Sequence, residues 1–295
     1  MKKVVLTGGT GFIGSYVAKR FRESGFQVAI VSRESGDISW NHADLREAFE
    51  DSELVLNLAG KSINCRHNEE NRRLILNSRL NTTQLIGLAI NDCVIKPKLW
   101  VNASAVGIYK PSITKPITEE ESELGTDFLA DVVRQWENKL FDFKFPETRQ
   151  IVLRTSVVLG RDGGALKPLV LLSRFGLGGK QADGKQMFSW IHVEDYFRVL
   201  LFLIDNPSMS KVINCTAPNP VSNKDFMQNL RKVLHVLVGL PAPKFAIQLG
   251  AALIGTEPEL ILNSSFVIPK RLHDAGFEFK FPTVDLALND LLASK

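Results

Sequence analysis

The chain has 295 residues, of which 44% are hydrophobic and 23% charged, the composition of an ordinary globular protein and a length that suits an α/β unit carrying an added lobe. Its formal charge of +4 is spread over scattered basic residues, which argues against a nucleic-acid footprint. Cys65, Cys93 and Cys215 are odd in number and far apart, which argues against a disulfide framework or a zinc site and for a reducing compartment.

The organising stretch is residues 1–14. Val4, Val5 and Leu6 read as a buried strand, Gly8, Gly11 and Gly14 follow at three-residue spacing, and Ile13, Val17 and Phe21 then recur every four residues. Strand, glycine turn and helix in that order form a dinucleotide-binding unit: one glycine makes the turn, one admits a pyrophosphate to the backbone, one lets helix and strand pack closely. The helix start adds unpaired N–H groups and a positive dipole end. The apolar run stops at Leu6, too short for a targeting segment, and no run of about 18 uninterrupted apolar residues indicates a membrane span. The chain is therefore expected to be cytoplasmic, with no membrane and no nucleic-acid partner.

Residues 27–32 read as the second parallel strand. An NAD-preferring fold carries Asp or Glu near this strand's end for the ribose 2′-OH. Here Ser32 and Arg33 stand there. A guanidinium pairs bidentately with a 2′-phosphate, so NADP(H) is expected over NAD(H), although Glu34 as a ribose ligand is the competing reading. Residues 54–60 form an apolar strand ending in a small-residue turn, and 72–89 a helix with Leu76, Leu80 and Thr83 on one face. Residues 99–105 form a strand that delivers Ser104 to its carboxyl end, where ligands bind in open α/β sheets. Residues 127–141 read as a helix with Leu129, Val133, Trp136 and Leu140 inward, and 150–159 as one further strand.

After Gly160, glycines at 163, 164, 176, 178, 179 and 184 suggest mobile covering loops. Residues 189–203 read as helix and 211–216 as strand. From Pro218, helical patterns alternate with Pro-rich turns. The expected fold is a Rossmann-type doubly wound parallel sheet: residues 1–160, with 188–217 returning to them, bind the cofactor. Residues 161–187 and 218–295 form a smaller, mostly helical substrate lobe.

Thr7–Gly14 (TGGTGFIG), Asn57–Gly60 (NLAG), the segment from Asn102 to Tyr109, Arg154–Gly160 and Trp190–Asp195 together resemble the extended short-chain dehydrogenase/reductase family, the NAD-dependent epimerases and dehydratases. The C-terminal part resembles the atypical branch named simply epimerase family protein. The resemblance implies NADP(H) held by Gly8, Thr10, Gly11, Phe12, Ile13, Gly14, Ser32, Arg33, Asn57, Ala59, Gly60 and Ser104, and a small polar, nucleotide-linked substrate. It also implies a homodimer formed through two helices of the cofactor domain.

One departure is informative. The family's catalytic helix carries Tyr-x-x-x-Lys with Glu four residues later; anchored on Glu137, those positions hold Leu129 and Val133. Substitute proton donors are Ser104, Tyr109 and His192. Each also has a structural reading: a strand-end hydroxyl, a packed aromatic and a histidine capping the next helix. Arg154 fits either a domain junction or a substrate phosphate. Two functions follow: an NADP(H)-dependent epimerase or oxidoreductase, or a non-catalytic NADP(H)-binding protein that reads redox state.

Overall fold

The computed structural model describes residues 1–33, 36–255 and 257–293. In chain order its elements are β1 (Lys3–Thr7), α1 (Phe12–Glu23), β2 (Gln27–Val31), α2 (His42–Phe49), β3 (Leu54–Asn57), α3 (Glu69–Asn91), β4 (Leu99–Ala105), a 3₁₀ turn at Val106–Ile108, α4 (Phe128–Phe141), β5 (Arg149–Thr155) and β6 (Val157–Leu159). They continue with α5 (Leu166–Arg174), β7 (Met187–Phe188), β8 (Trp190–His192), α6 (Val193–Asp205), β9 (Lys211–Cys215), β10 (Val221–Ser222), α7 (Asn223–Val233), α8 (Lys244–Ile254), α9 (Glu259–Leu262), α10 (Lys270–Asp274) and α11 (Val284–Leu292).

Six parallel strands form the main sheet in the order β2-β1-β3-β4-β5-β9. Chain order reverses between β1 and β3, so the loops leaving their carboxyl ends diverge around a crevice at that point, where open α/β sheets take their ligands. The strand centres are apolar on both sides because both faces are covered, yet side chains still alternate. Val4, Leu6, Leu54, Leu56, Leu99, Val101, Ile151 and Leu153 pack with α1 and α6. Val5, Val55, Trp100 and Val152 point the other way, onto α2, α3 and α4. Phe21 and Phe49, one on each face, have no exposed surface; burying a side chain of that size contributes roughly 1.5–3 kcal/mol.

Several sequence expectations shift. The apolar run 150–159 is two strands: β5 belongs to the main sheet, while β6 pairs in parallel with β8. The break falls at Ser156, whose N–H donates to Cys215 O, whereas Val157 N–H donates to Ser189 O. Trp190–His192, expected as helix, is therefore strand, and the helix starts at Val193. The inward stripe of α3 is Ile75, Thr83, Ile86 and Ile90, with Leu76 and Leu80 half-buried. On α4, Leu129 is likewise half-buried, and Ala130 and Val132 take the inner face. The glycines after β6 are packing positions: a Cβ on Gly160, Gly163 or Gly164 would approach the Phe12 ring to 2.6, 2.6 and 2.9 Å. That loop is wrapped around Phe12. Among the described residues no helix is long and apolar enough to cross a membrane.

The start of α6 joins three parts of the chain. Glu194 accepts from Tyr16 Oη (2.7 Å) and from Arg20 Nε and Nη2 (both 2.9 Å) on α1. Asp195, fully buried, accepts from the N–H groups of Lys280 and Phe281, both at 2.8 Å. His192 caps the helix: its Nδ1 accepts from Glu194 N–H at 3.0 Å, which places the proton of the neutral ring on Nε2, 3.3 Å from Asp290 Oδ2.

Burial holds the His192 pKa below its ordinary value, against the opposing pull of Asp290, Asp195 and Glu194 and with a smaller push from Lys280. A histidine depressed in the folded state stabilises the fold fully above its unfolded pKa of about 6.5 and loses that contribution as pH falls below it. Urea unfolding at pH 7.5 and 5.5 is expected to show a larger loss of stability in the wild type than in His192→Asn, which keeps a capping oxygen without the titration. Equal losses would show that His192 does not carry the effect.

Candidate functional site

The crevice between β1 and β3 is set by a buried chain of polar side chains. Thr7 Oγ1 donates to Asn57 Oδ1 at 2.8 Å, and the same oxygen accepts from Ala59 N–H at 3.1 Å. Asn57 Nδ2 donates to Asn102 Oδ1 at 2.6 Å and reaches Thr83 Oγ1 at 3.4 Å. Thr83 in turn accepts from Trp136 Nε1 at 3.0 Å. All are buried, so the tips of β1, β3 and β4 are fixed to α3 and α4. The Asn57 side chain lies beneath the turn and shapes it.

The glycines above this clasp have distinct reasons. Gly8 has φ +74, and a Cβ there would sit 2.9 Å from Ala59 N; the β1 and β3 loops touch at that point. A Cβ on Gly14 would sit 2.6 Å from Gly8 O and 2.7 Å from Gly9 Cα, so this glycine lets α1 close onto the turn. Gly11 differs: a Cβ there meets only Gly8 O, at 3.5 Å. Packing of the protein does not require a glycine at 11, whereas a pyrophosphate lying on the backbone does. Gly11 is also the N-cap of α1, which has no capping side chain and no acidic residue in its first turn, leaving N–H groups and the positive dipole end for an anion. The exposed Thr10 and the half-buried Phe12 and Ile13 complete the turn. These residues fit a dinucleotide.

At the tip of β2, Ser32 is half-buried and Arg33 exposed. Arg33 forms no ion pair among the described residues. The nearest acid in sequence among them, Asp37, is engaged with Ile30 N–H at 2.9 Å. Glu34 lies outside the described residues.

Ser104 and Tyr109 come together in one buried network. Ser104 Oγ donates to Glu137 Oε1 at 2.6 Å. Glu137 is gripped bidentately by Arg154, Nε to Oε1 at 2.8 Å and Nη2 to Oε2 at 2.7 Å. Arg154 Nη1 donates to Tyr109 Oη at 2.9 Å, and Tyr109 Oη donates to Asn214 Oδ1 at 2.8 Å. Asn214 N–H continues to Glu119 Oε1 at 2.9 Å. Burial acts to lower the Arg154 pKa, but the bonds and charge of Glu137 outweigh it and raise it. Burial raises the Tyr109 pKa, opposed by Arg154 and Asn214, so the phenol stays protonated. Burial likewise raises Glu119, against backbone N–H donors including those of Asn214 and Arg271. The Ser104 proton already points at a carboxylate. The adjacent Lys110 diverges from Tyr109 and pairs with Glu123 at 3.1 Å.

His192 is not part of this network. Its ring stacks on Phe281, with centroids 3.9 Å apart, beside a cleft of about 800 Å³ lined also by Tyr16, Arg20 and Asp290. Spacing and resemblance mark Glu137 only as an anchor and Asn102 only as the start of a motif, and they do not mark Glu119 or Asn214. The available signal was a carboxylate among Val133, Trp136 and Leu140 on the inner stripe of α4, and Arg154 at the end of the apolar run Ile151–Leu153. Each is a charge that needs a buried partner.

Comparison with known proteins agrees with this geometry. Residues 4–129 match the NAD dependent epimerase/dehydratase family, and residues 242–291 match a domain of unknown function, DUF1731. The epimerase family protein SSP1921 of Staphylococcus saprophyticus is 36% identical, over 99% of this chain and 100% of its own. The crystal structure of the human epimerase family protein SDR39U1 with NADPH superposes with a TM-score of 0.91 at 33% identity, covering 99% of this chain and 100% of that one. A nucleoside-diphosphate sugar epimerase from Corynebacterium glutamicum gives a TM-score of 0.80 at 28% identity, over 99% of this chain and 58% of that one. The chain belongs to the epimerase family proteins, an atypical branch of the extended short-chain dehydrogenase/reductases.

Proposed function

We propose that the chain binds NADP(H) and acts on a small polar, nucleotide-linked substrate as an epimerase or oxidoreductase. The observation that carries this reading is Gly11, whose missing side chain answers to nothing in the protein itself. The human relative solved with NADPH and the nucleoside-diphosphate sugar epimerase relative support it. Residues 1–160 and 188–217 serve as the cofactor unit, and 161–187 with 218–295 as the substrate lobe. The bound nicotinamide supplies or accepts a hydride. The chain's own part is to hold the pyrophosphate on the backbone of Gly8–Gly14, to pair Arg33 with the 2′-phosphate, and to present the Ser104 oxygen at the carboxyl end of β4. Because Ser104 Oγ donates to Glu137, its free lone pairs accept a hydrogen bond from a substrate hydroxyl.

A second reading is favoured by a specific observation. Leu129 and Val133 stand where the family has its Tyr and Lys, and Ser104 is held by Glu137. This arrangement suits a protein that binds NADP(H) without turnover and signals its redox state to a partner.

Two glycine variants test the cofactor site. Gly11→Ala is expected to fold with stability within about 1 kcal/mol of wild type, yet to weaken NADPH binding roughly tenfold or more by calorimetry, since the new methyl occupies the phosphate's approach. Gly14→Ala is expected to lose about 1–3 kcal/mol of stability through its backbone clash. Undiminished NADPH affinity in Gly11→Ala would remove the carrying observation.

Specificity is tested at β2. The wild type is expected to bind NADPH more tightly than NADH, and Arg33→Ala to lose roughly ten- to a hundredfold in NADPH affinity, the worth of charged hydrogen bonds, with NADH unchanged. Tighter NADH binding by the wild type refutes the NADP(H) assignment.

Turnover separates the two readings. With a panel of carbonyl compounds and nucleotide sugars, NADPH absorbance is expected to fall for at least one, and Ser104→Ala to slow that reaction while NADPH affinity holds. Absorbance that stays flat across the panel selects the non-catalytic reading.

A further inference from the structure

The loop 61–68 and the side of α3 facing α4 carry guanidinium groups that no carboxylate answers. Arg79 Nη1 donates to the carbonyls of Lys61 and Ile75, both at 3.0 Å, and its guanidinium lies 5.1 Å over the Trp136 ring. Arg72 Nε donates to His67 O at 2.7 Å and the group lies 4.8 Å over the Phe128 ring. Arg66 Nη2 donates to Ala252 O at 3.3 Å. Among the described residues Arg66, Arg72 and Arg79 are in no ion pair, as is true of Arg149 and Arg271, which are spent on carbonyls at the far side of the sheet; Arg20, Arg134, Arg154 and Arg198 are each in an ion pair. Of the acids near them, Glu257 is engaged with His67 N–H at 2.7 Å and Asp127 with the first N–H groups of α4, while Glu69 and Glu70 in the first turn of α3 form no ion pair with Arg72 among the described residues.

Arg79 is the telling member. It is half-buried, and burial holds its pKa down to about 10. A cation taken from water and met only by carbonyls and a ring face is incompletely compensated. Its position relates it to the crevice. A Cβ on Gly60 would come 3.3 Å from the Arg79 Cζ, and Ala59, the preceding residue, is the one that touches Gly8. Arg79 therefore lies one step along the carboxyl edge from the glycine turn. Arg72 and Arg79 face α4, over Phe128 and Trp136, while Arg66 reaches Ala252 on α8.

We infer that Arg66, Arg72 and Arg79 form an oxyanion shelf, and that the reacting half of the substrate carries a carboxylate or phosphate that docks on it. The inference rests on the proposed cofactor site, since the glycine turn is what places the reacting end of the crevice beside Arg79. A planar fork with donors left over after two carbonyls suits a carboxylate or phosphate in a way that a lysine does not.

The test uses inorganic phosphate and glucuronate as probes, titrated calorimetrically at low ionic strength into the full chain with and without saturating NADPH. At least one probe is expected to bind. Arg79→Met is expected to weaken it roughly tenfold or more, Arg79→Lys to recover part of the loss, and NADPH affinity to stay within about twofold. Arg72→Met is the second variant and carries the same expectation should Arg79→Met not fold. Absence of uptake of either probe, or equal affinity in wild type and both methionine variants, overturns the shelf. Loss of NADPH affinity in parallel assigns Arg79 to the cofactor's phosphates and also overturns the inference, while leaving the cofactor reading in place. A wild type that takes up the anion but not NADPH keeps the shelf and defeats the cofactor reading. Which probe binds more tightly names the anion.

Discussion

The amide of Asn57 is the constraint on which the crevice depends. One carboxamide engages Thr7, Ala59 and Asn102 and reaches Thr83, so a single buried side chain sets the relative positions of β1, β3 and β4 and ties them to α3. A fully satisfied buried network of this kind specifies one geometry, because every alternative leaves a polar group unpaired in low dielectric. Among the described residues the glycine turn above it is held by backbone bonds alone, Gly8 N–H to Val31 O and Gly11 N–H to Gly8 O, both at 3.2 Å. Its shape follows from the clasp beneath and from the contact between Gly8 and Ala59. Rigidity below and open N–H groups above are the combination a phosphate site needs, since the donors are aimed before the ligand arrives.

The second organising interaction is the ion pair of Glu137 and Arg154. Both side chains are 8% exposed, and desolvating two such charges is repaid only when geometry is good and the remaining donors and acceptors are met. Here the contact is bidentate, and Ser104 and Tyr109 satisfy the rest. The pair stands at the carboxyl end of β4 and β5, the edge where open α/β sheets take their ligands. Of the hydroxyls there, Tyr109 is pushed upward by burial against the lowering pull of Arg154 and Asn214, and Ser104 faces a carboxylate. Arg154 thus ties β5 to α4.

Much of this was legible in the letters. β1, the glycine turn and α1 announce themselves because a buried parallel strand, a turn needing positive φ and a 3.6-residue stripe are all local properties. β4 and the placement of Ser104 at its end were equally local. What the sequence concealed depends on tertiary partners. The run 150–159 is uniformly apolar, and only the switch of neighbours at Ser156, from β9 to β8, divides it. The glycines at 160, 163 and 164 resemble flexible linkers until Phe12 is seen lying against them. Leu76 and Leu80 outrank Thr83 on any hydrophobic scale, yet Thr83 is the buried one because Trp136 and Asn57 supply its hydrogen bonds. Glu137 and Arg154 are 17 residues apart, on different elements, and no periodicity links them.

Energetics decide how far the missing pair constrains the chemistry. A positioned general acid is worth roughly 10² to 10⁴ in rate, or about 3–5 kcal/mol. Holding two reactants in near-attack geometry is worth on the order of 7–11 kcal/mol. The larger contribution depends on the clasp, the turn and whatever fixes the substrate beside them, all of which are independent of Leu129 and Val133. A site that keeps orientation and loses proton transfer is slow for reactions that generate a free alkoxide. The same loss applies to hydride removal, the microscopic reverse, in which the missing acid would serve as the base. Under the proposed shelf, guanidinium groups with no carboxylate partner among the described residues would stabilise negative charge that develops near them. Leu129 and Val133 therefore bear on proton transfer, whereas the glycine turn and the clasp beneath it, on which the proposed cofactor binding rests, do not involve them.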